Sequence, residues 1–155
     1  MKETLIVAAP VTIRDATAAD LPALVQMGVH FIQATAYRDR FADPQERARG
    51  VATTILDHGT ILVAETEGVL VGMIGLLLVP HFIMGRMVGT EIVWWVEPSA
   101  RSTGAGRRLL RAAEDWSRVR GAQRMQFGAF RDARLERLYR ALGYEPCEVI
   151  YEKDL

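Results

Sequence analysis

Residues 96–116 read VEPSARSTGAGRRLLRAAEDW, and the glycines at the centre of this stretch decide how the chain around them is organised. Upstream, TEIVWWV at 90–96 has the β-branched and aromatic character of a strand. Downstream, Leu109, Leu110, Ala112, Ala113, Trp116 and Val119 recur on one side of an amphipathic helix that Gly121 stops. Glycine weakens a helix, so Gly104 and Gly106 at the junction mark either a tight turn or a backbone that a ligand approaches closely. The first turn of a helix carries amides without intrahelical acceptors and the positive end of the macrodipole, a setting that binds phosphate. Arg101, Arg107 and Arg108 bring charge to the same place. The other phosphate loops do not fit: no Lys follows a G-x-x-x-x-G spacing, and position 109 is Leu where the dinucleotide fingerprint needs its third glycine.

Working outward, a short strand at Val11–Arg14 leads into a helix with Leu21, Leu24, Val25, Phe31 and Ile32 at helical spacing, started by Thr17 or Asp20. A second helix ends near Asp57-His58-Gly59. Ile61–Glu65 and Val69–Leu78 read as an antiparallel hairpin turning at Thr66-Glu67-Gly68. The 18 residues from Gly68 to Gly85 carry no formal charge, near the length of a membrane helix, but Gly72, Gly75, Pro80 and His81 interrupt them. They read as a buried strand followed by a loop, PHFIMGRMVG. Beyond the central helix come a strand at Arg124–Phe127, a helix at about Ala133–Leu142 ended by Gly143, and a final strand at Val149–Lys153. This order, β α α β β β α β α β, predicts an α+β domain with a central, mostly antiparallel sheet flanked by helices. At 155 residues one domain spanning 1–155 is expected, with its ordered fold between about 10 and 154.

Half of the residues are apolar, a quarter are charged and the net charge is zero, so no global field recruits nucleic acid or a membrane surface. The charge is uneven, with 11 arginines against four acids between Arg101 and Arg140, a local field suited to a local anion. The lone Cys147 permits no intramolecular disulfide, and His30, His58 and His81 have no metal-ligand spacing, so no metal is expected. Glu3 and the short apolar stretch after it do not make an export signal, and a cytoplasmic location is expected.

The chain resembles the GNAT family of N-acetyltransferases, which move an acetyl group from acetyl-CoA to an amine. RSTGAG at 101–106 is similar to the family's acyl-CoA signature, VEPSAR at 96–101 to its lead-in, and DARLERLYRALGY at 132–144 to its closing motif. The resemblance covers nearly the whole chain and implies the acyl-CoA N-acyltransferase fold. It further implies that acetyl-CoA is the cosubstrate, its pyrophosphate held by backbone groups of Arg101, Ser102, Thr103, Gly104, Ala105, Gly106 and Arg107. Main-chain groups of Trp95 and Val96 would pair with the pantetheine arm. Tyr139 falls where many members keep a tyrosine that protonates the departing thiolate, and Glu91 where some keep a catalytic glutamate. Asp132, a further pantetheine contact, stands where Asn is usual, and Leu135 where Ala is usual.

The chemistry asks for these groups independently. An amine of pKa about 10.4 is neutral in only about one molecule per thousand at pH 7, so a base must take its proton. A carboxylate at an unperturbed value of about 4.3 is a poor base unless desolvated, or unless it works through water. Tyr139 also suits plain packing among Leu135, Leu138 and Leu142, and Glu91 a strand-end carboxylate. For the acceptor the resemblance points to Phe31, Tyr37, Phe41 and the loop from Pro80 to Val88 with Met84, implying a partly apolar small-molecule amine. A protein or peptide amine, a CoA-binding module with little catalysis, or a nucleic-acid binder resting on the arginine-rich helix are the alternatives. A homodimer would use the same apolar loop.

Overall fold

The computed structural model describes residues 9–130 and 132–155; Glu3 with its apolar neighbours, and Arg131, lie outside the described residues. Strand β1 is Thr12–Asp15, followed through a 3-10 turn at Ala18–Asp20 by α1, Leu21–Ala34. Thr17 and Asp20 share the start. The Asp20 carboxylate accepts the Thr17 amide at 2.7 Å and the guanidinium of Arg14 at 2.8 and 3.0 Å, which holds it well below the usual carboxylate range. Pro22 sits in the first turn of α1, where a missing N–H costs nothing. Helix α2, Pro44–His58, is capped by Asp43, which accepts from the amides of Gln45 and Glu46.

Strands β2, Thr60–Thr66, and β3, Val69–His81, form the expected hairpin, closed by Glu67 and Gly68 with φ of 51° and 78°. Two positive φ values in a two-residue loop match the right-handed twist of the flanking strands. Strand β4 is Arg86–Val96, a 3-10 turn spans Pro98–Thr103, α3 is Ala105–Val119, β5 is Arg124–Gln126 and α4 is Ala133–Ala141. The strands lie in the order β1-β2-β3-β4-β5, antiparallel except for the parallel pair β4 and β5.

Both faces of this sheet are covered, and the period of two assigns each side chain to a layer. Leu62, Ala64, Ile74 and Leu76 pack against Ala105, Leu109 and Ala113 of α3. Ile61, Val63, Met73 and Val93 pack against Leu24 and Met27 of α1 and Ala52 and Ile55 of α2. Trp94 joins the first layer and Trp95 the second. The long uncharged run is therefore β3, buried on both sides, and no described helix is long and apolar enough to cross a membrane.

Two expectations are corrected. Residues 80–88 are not a loop, since β3 and β4 pair as far as His81 with Arg86, leaving only Phe82–Gly85 as the turn. Nor is there a strand at Val149–Lys153; Val149, Ile150 and Tyr151 are exposed and irregular. A strand exists only where a neighbour completes its ladder, and the three-residue β5 pairs with β4 alone.

Candidate active site

Strand β4 pairs with β5 through Val88, Gly89 and Thr90 only, opposite Arg124, Met125 and Gln126. Beyond that point β5 has ended and β4 runs on to Val96, so Glu91 opens a free strand edge. On the other side of β4 the register jumps from Gly75 opposite Val93 to Leu76 opposite Glu91, which leaves Ile92 as the extra residue of a β-bulge. A bulge bends the strand and re-aims its side chains, and this one adjoins Glu91.

The Glu91 residue keeps some exposed surface, but its carboxyl is enclosed, and burial pushes it up to about 7. The amide of Gly128, just past β5, donates to Glu91 Oε2 at 3.1 Å and offsets part of that shift. The same peptide unit's neighbour reaches Tyr139: the phenol donates to the Gly128 carbonyl at 3.2 Å. Tyr139 is buried on α4 beside the rings of Trp94, Phe127 and Tyr144, at centroid distances of 6.2, 5.4 and 5.9 Å. Burial, reinforced by the charge of Glu91, raises the phenol above its ordinary value. One residue, Gly128, thus contacts both a carboxyl that burial pushes up to about 7 and a phenol raised above its ordinary value.

At the far end of the free edge lies the glycine junction. Gly104 precedes α3 with φ of 82°, a left-handed conformation that explains its identity. The N-cap residue of α3, Gly104, has no side chain with which to cap the helix. Thr103 Oγ1 donates to the Ala100 carbonyl and accepts the Ala105 amide at 3.3 Å, while Gly106 and Arg107 head the helix at positions with no intrahelical acceptor. Gly106 has no positive φ, and a Cβ on it would meet Trp94 and Val96 only at ordinary contact distances of 3.5 and 3.7 Å. Nothing within the protein demands glycine there, whereas an anion seated on the first turn would. Ser102 and the Arg101, Arg107 and Arg108 side chains are exposed around this turn, and the residues fit a pyrophosphate.

Of the two strand residues expected to present main-chain groups, only Val96 does so. The Glu97 amide donates to Val71 of β3 at 2.9 Å, and alternation along an antiparallel strand then ties the main chain of Trp95 to β3 while turning those of Trp94 and Val96 to the free edge. The Val96 carbonyl accepts from Arg101 Nε at 3.1 Å, and the Arg101 guanidinium lies 4.9 Å from the Trp95 ring. Asp132 uses Oδ1 to cap α4 through the Arg134 amide at 2.8 Å.

The structure brings Phe31, Tyr37 and Phe41 together beside the site, and adds Phe130, which the sequence did not reveal. Phe130 lies 5.9 Å from the Phe31 ring and 5.4 Å, edge-on, from Tyr37. Met84 belongs elsewhere. It sits in the β3–β4 turn near Arg124, and five steps along the strand, about 17 Å, separate the base of that turn at Arg86 from Glu91. Gly128 was also missed, as was the free-edge placement of the Trp94 main chain, because both depend on a strand edge and a loop crossing that no local pattern encodes.

A model of the acetyltransferase (GNAT) family matches residues 28–144. An aminoglycoside N(6')-acetyltransferase type 1 of Stenotrophomonas maltophilia is 28% identical over 152 residues, 95% of this chain and 94% of that protein. Among solved structures, the aminoglycoside N-acetyltransferase AAC(6')-Iy in complex with CoA has a TM-score of 0.79 at 20% identity, covering 97% of this chain and 98% of that one. A transcriptional regulator from Bacillus halodurans C-125 has a TM-score of 0.78 at 22% identity, covering 94% and 100%. At these identities the two structures establish the fold alone. The family match, by contrast, spans the free edge of β4, the uncapped start of α3 and the helix bearing Tyr139, and so the chain belongs to the acetyltransferase (GNAT) family and is an acetyl-CoA-dependent N-acetyltransferase.

Proposed function

We propose that the protein acetylates a primary amine of a small molecule by direct attack in a ternary complex, with Glu91 as base and Tyr139 as acid. The observation that carries this reading is the pair of contacts at Gly128, 3.1 Å to Glu91 and 3.2 Å to Tyr139, at the mouth where β4 loses its partner. Acetyl-CoA, when bound, supplies the thioester carbonyl and the sulfur leaving group. Amides at the head of α3 and the arginines around it hold the phosphates. The free edge at Trp94 and Val96 offers main-chain partners to the pantetheine arm, and for the Val96 carbonyl this displaces Arg101.

Glu91, raised to about 7, takes the proton of the attacking nitrogen, directly or through water. As the C–N bond forms and the C–S bond breaks, Tyr139 gives its proton to the sulfur; solvent then returns a proton to the phenolate and removes one from Glu91. Absence of a charged cap at α3 leaves the helix end free for phosphate.

The test is thermal unfolding with and without CoA, followed by thiol release on a panel of amines. CoA at a hundred times its Kd stabilises by about 2.7 kcal/mol, and a chain that millimolar CoA leaves unshifted refutes the reading. A second reading, an aminoglycoside acceptor, is favoured by the relative's likeness along 95% of the chain. An aminoglycoside with a free 6'-amine in the same panel tests it.

A further inference from the structure

The aromatic cluster beside Glu91 is assembled from three separate segments: Phe31 on α1, Tyr37 and Phe41 on the α1–α2 connection, and Phe130 on the β5–α4 connection. Phe31, Tyr37 and Phe41 are half-buried against Val25, Ile32 and Ala48. Phe130 differs: it packs edge-on against Tyr37 yet remains 39% exposed. It is also tied to the chemistry by a short tether. Gly128 touches both Glu91 and Tyr139, and two peptide units separate it from Phe130, so the two Cα atoms are at most about 7 Å apart. A substituent on an amine whose nitrogen is held at Glu91 is within reach of this ring.

The charges around the cluster are of both signs. Arg47 lies 5.6 Å from the centre of the Phe41 ring. On the α1–α2 connection Arg38 and Arg40 flank Asp39, and Arg40 pairs with Asp154. The nearby carboxylates of Asp43 and Asp132 each use an oxygen to cap a helix, α2 and α4 respectively. An alkyl or aryl group on the acceptor would find aromatic surface, whereas a second ammonium group would meet Arg38, Arg40 and Arg47 together with the carboxylates of Asp39, Asp43 and Asp132.

We propose that Phe130 is a specificity-determining residue that, with Phe31 and Tyr37, selects primary amines carrying an apolar substituent. The inference rests on the acetyl-transfer reading given above and deepens its acceptor side.

The experiment measures kcat and KM for methylamine, 2-phenylethylamine, spermidine and an aminoglycoside, with wild type, Phe130→Ala and Phe130→Leu, and the CoA Kd of each. The expected wild-type kcat/KM is about tenfold or more higher for 2-phenylethylamine than for the other three. Phe130→Ala removes that preference by raising KM for 2-phenylethylamine, Phe130→Leu keeps most of it, and methylamine, too short to reach the ring, loses least. Equal losses for methylamine and 2-phenylethylamine would reduce Phe130 to a structural part, and a wild-type preference for spermidine or the aminoglycoside overturns the proposal. Unchanged CoA affinity in all three proteins keeps those failures separate from failure of the underlying reading; a wild type that binds no CoA or acetylates none of the amines refutes both.

Discussion

Replacing Gly106 by Ala separates what the fold needs from what the ligand needs. In the protein itself the new methyl meets Trp94 at 3.5 Å and Val96 at 3.7 Å, ordinary contacts, and the backbone φ is not positive, so no strain is introduced. Position 106 is the second residue of α3, and Ala in a helix is worth up to about 1 kcal/mol over Gly. The variant should therefore be more stable by about 0.5 kcal/mol, a first-turn position giving less than an interior one, or roughly 1–2 °C in Tm for a chain of this size. For the coenzyme the sign reverses. On the proposed reading the methyl stands among the amides that would face the pyrophosphate, and losing one hydrogen bond to a charged group costs about 1.5–3 kcal/mol, a factor of about ten to a hundred in Kd. Differential scanning fluorimetry without ligand and calorimetric titration with CoA measure the two numbers independently. Wild-type CoA affinity in Gly106→Ala would refute the argument that the missing side chain serves the ligand; a lower Tm without ligand would refute the argument that the fold does not need it.

Gly104→Ala makes the contrasting case, because at φ of 82° a side chain is strained whatever the space around it; unfolding should show a loss of about 1–2 kcal/mol. Glu91→Gln should lower kcat by about 10²–10⁴ and abolish the rise of rate through pH 7. Its stability has a definite sign: the folded carboxyl titrates near 7 and the free one near 4.5, so the folded chain binds the extra proton in that window and the wild type loses stability as pH rises through it. Glu91→Gln should thus compare better with wild type at pH 8 than at pH 4, which urea unfolding at both values checks. Tyr139→Phe should lower turnover while CoA affinity stays near wild type, and equal turnover would leave the ring a packing role. Gly89→Ala puts a methyl 2.7 Å from Ser117 Cβ and 2.8 Å from Met125 Sδ, at the last stretch where β4 pairs with β5; denaturant titration should show a loss of about 1–3 kcal/mol.

What was legible in the sequence was local. The glycine junction, the amphipathic face of α3 and the Glu67-Gly68 turn are each encoded within a few residues, and each stands where the sequence puts it. What was not legible depends on partners distant along the chain. Val149–Tyr151 has strand propensity and no strand, since β5 offers three residues and pairs with β4 alone. Pro80 and Gly85 carry the composition of a loop, yet the β3–β4 ladder runs past Pro80 because its neighbours Val79 and His81 still find Val88 and Arg86. The same dependence governs the site. Alternation places Trp94 and Trp95 on opposite faces from sequence alone, but which of them offers its main chain to a ligand is fixed by the Glu97 amide choosing Val71. Ile92, the bulged residue, has no signature in EIVWW, yet the bulge beside it helps set the direction in which Glu91 points. The proposed acid–base pair is therefore the product of two register decisions, one on each edge of β4: an extra residue against β3, and a premature end to β5. A change that restored regular pairing on either edge would leave every motif of the sequence intact and still pull Glu91 away from Gly128 and Tyr139.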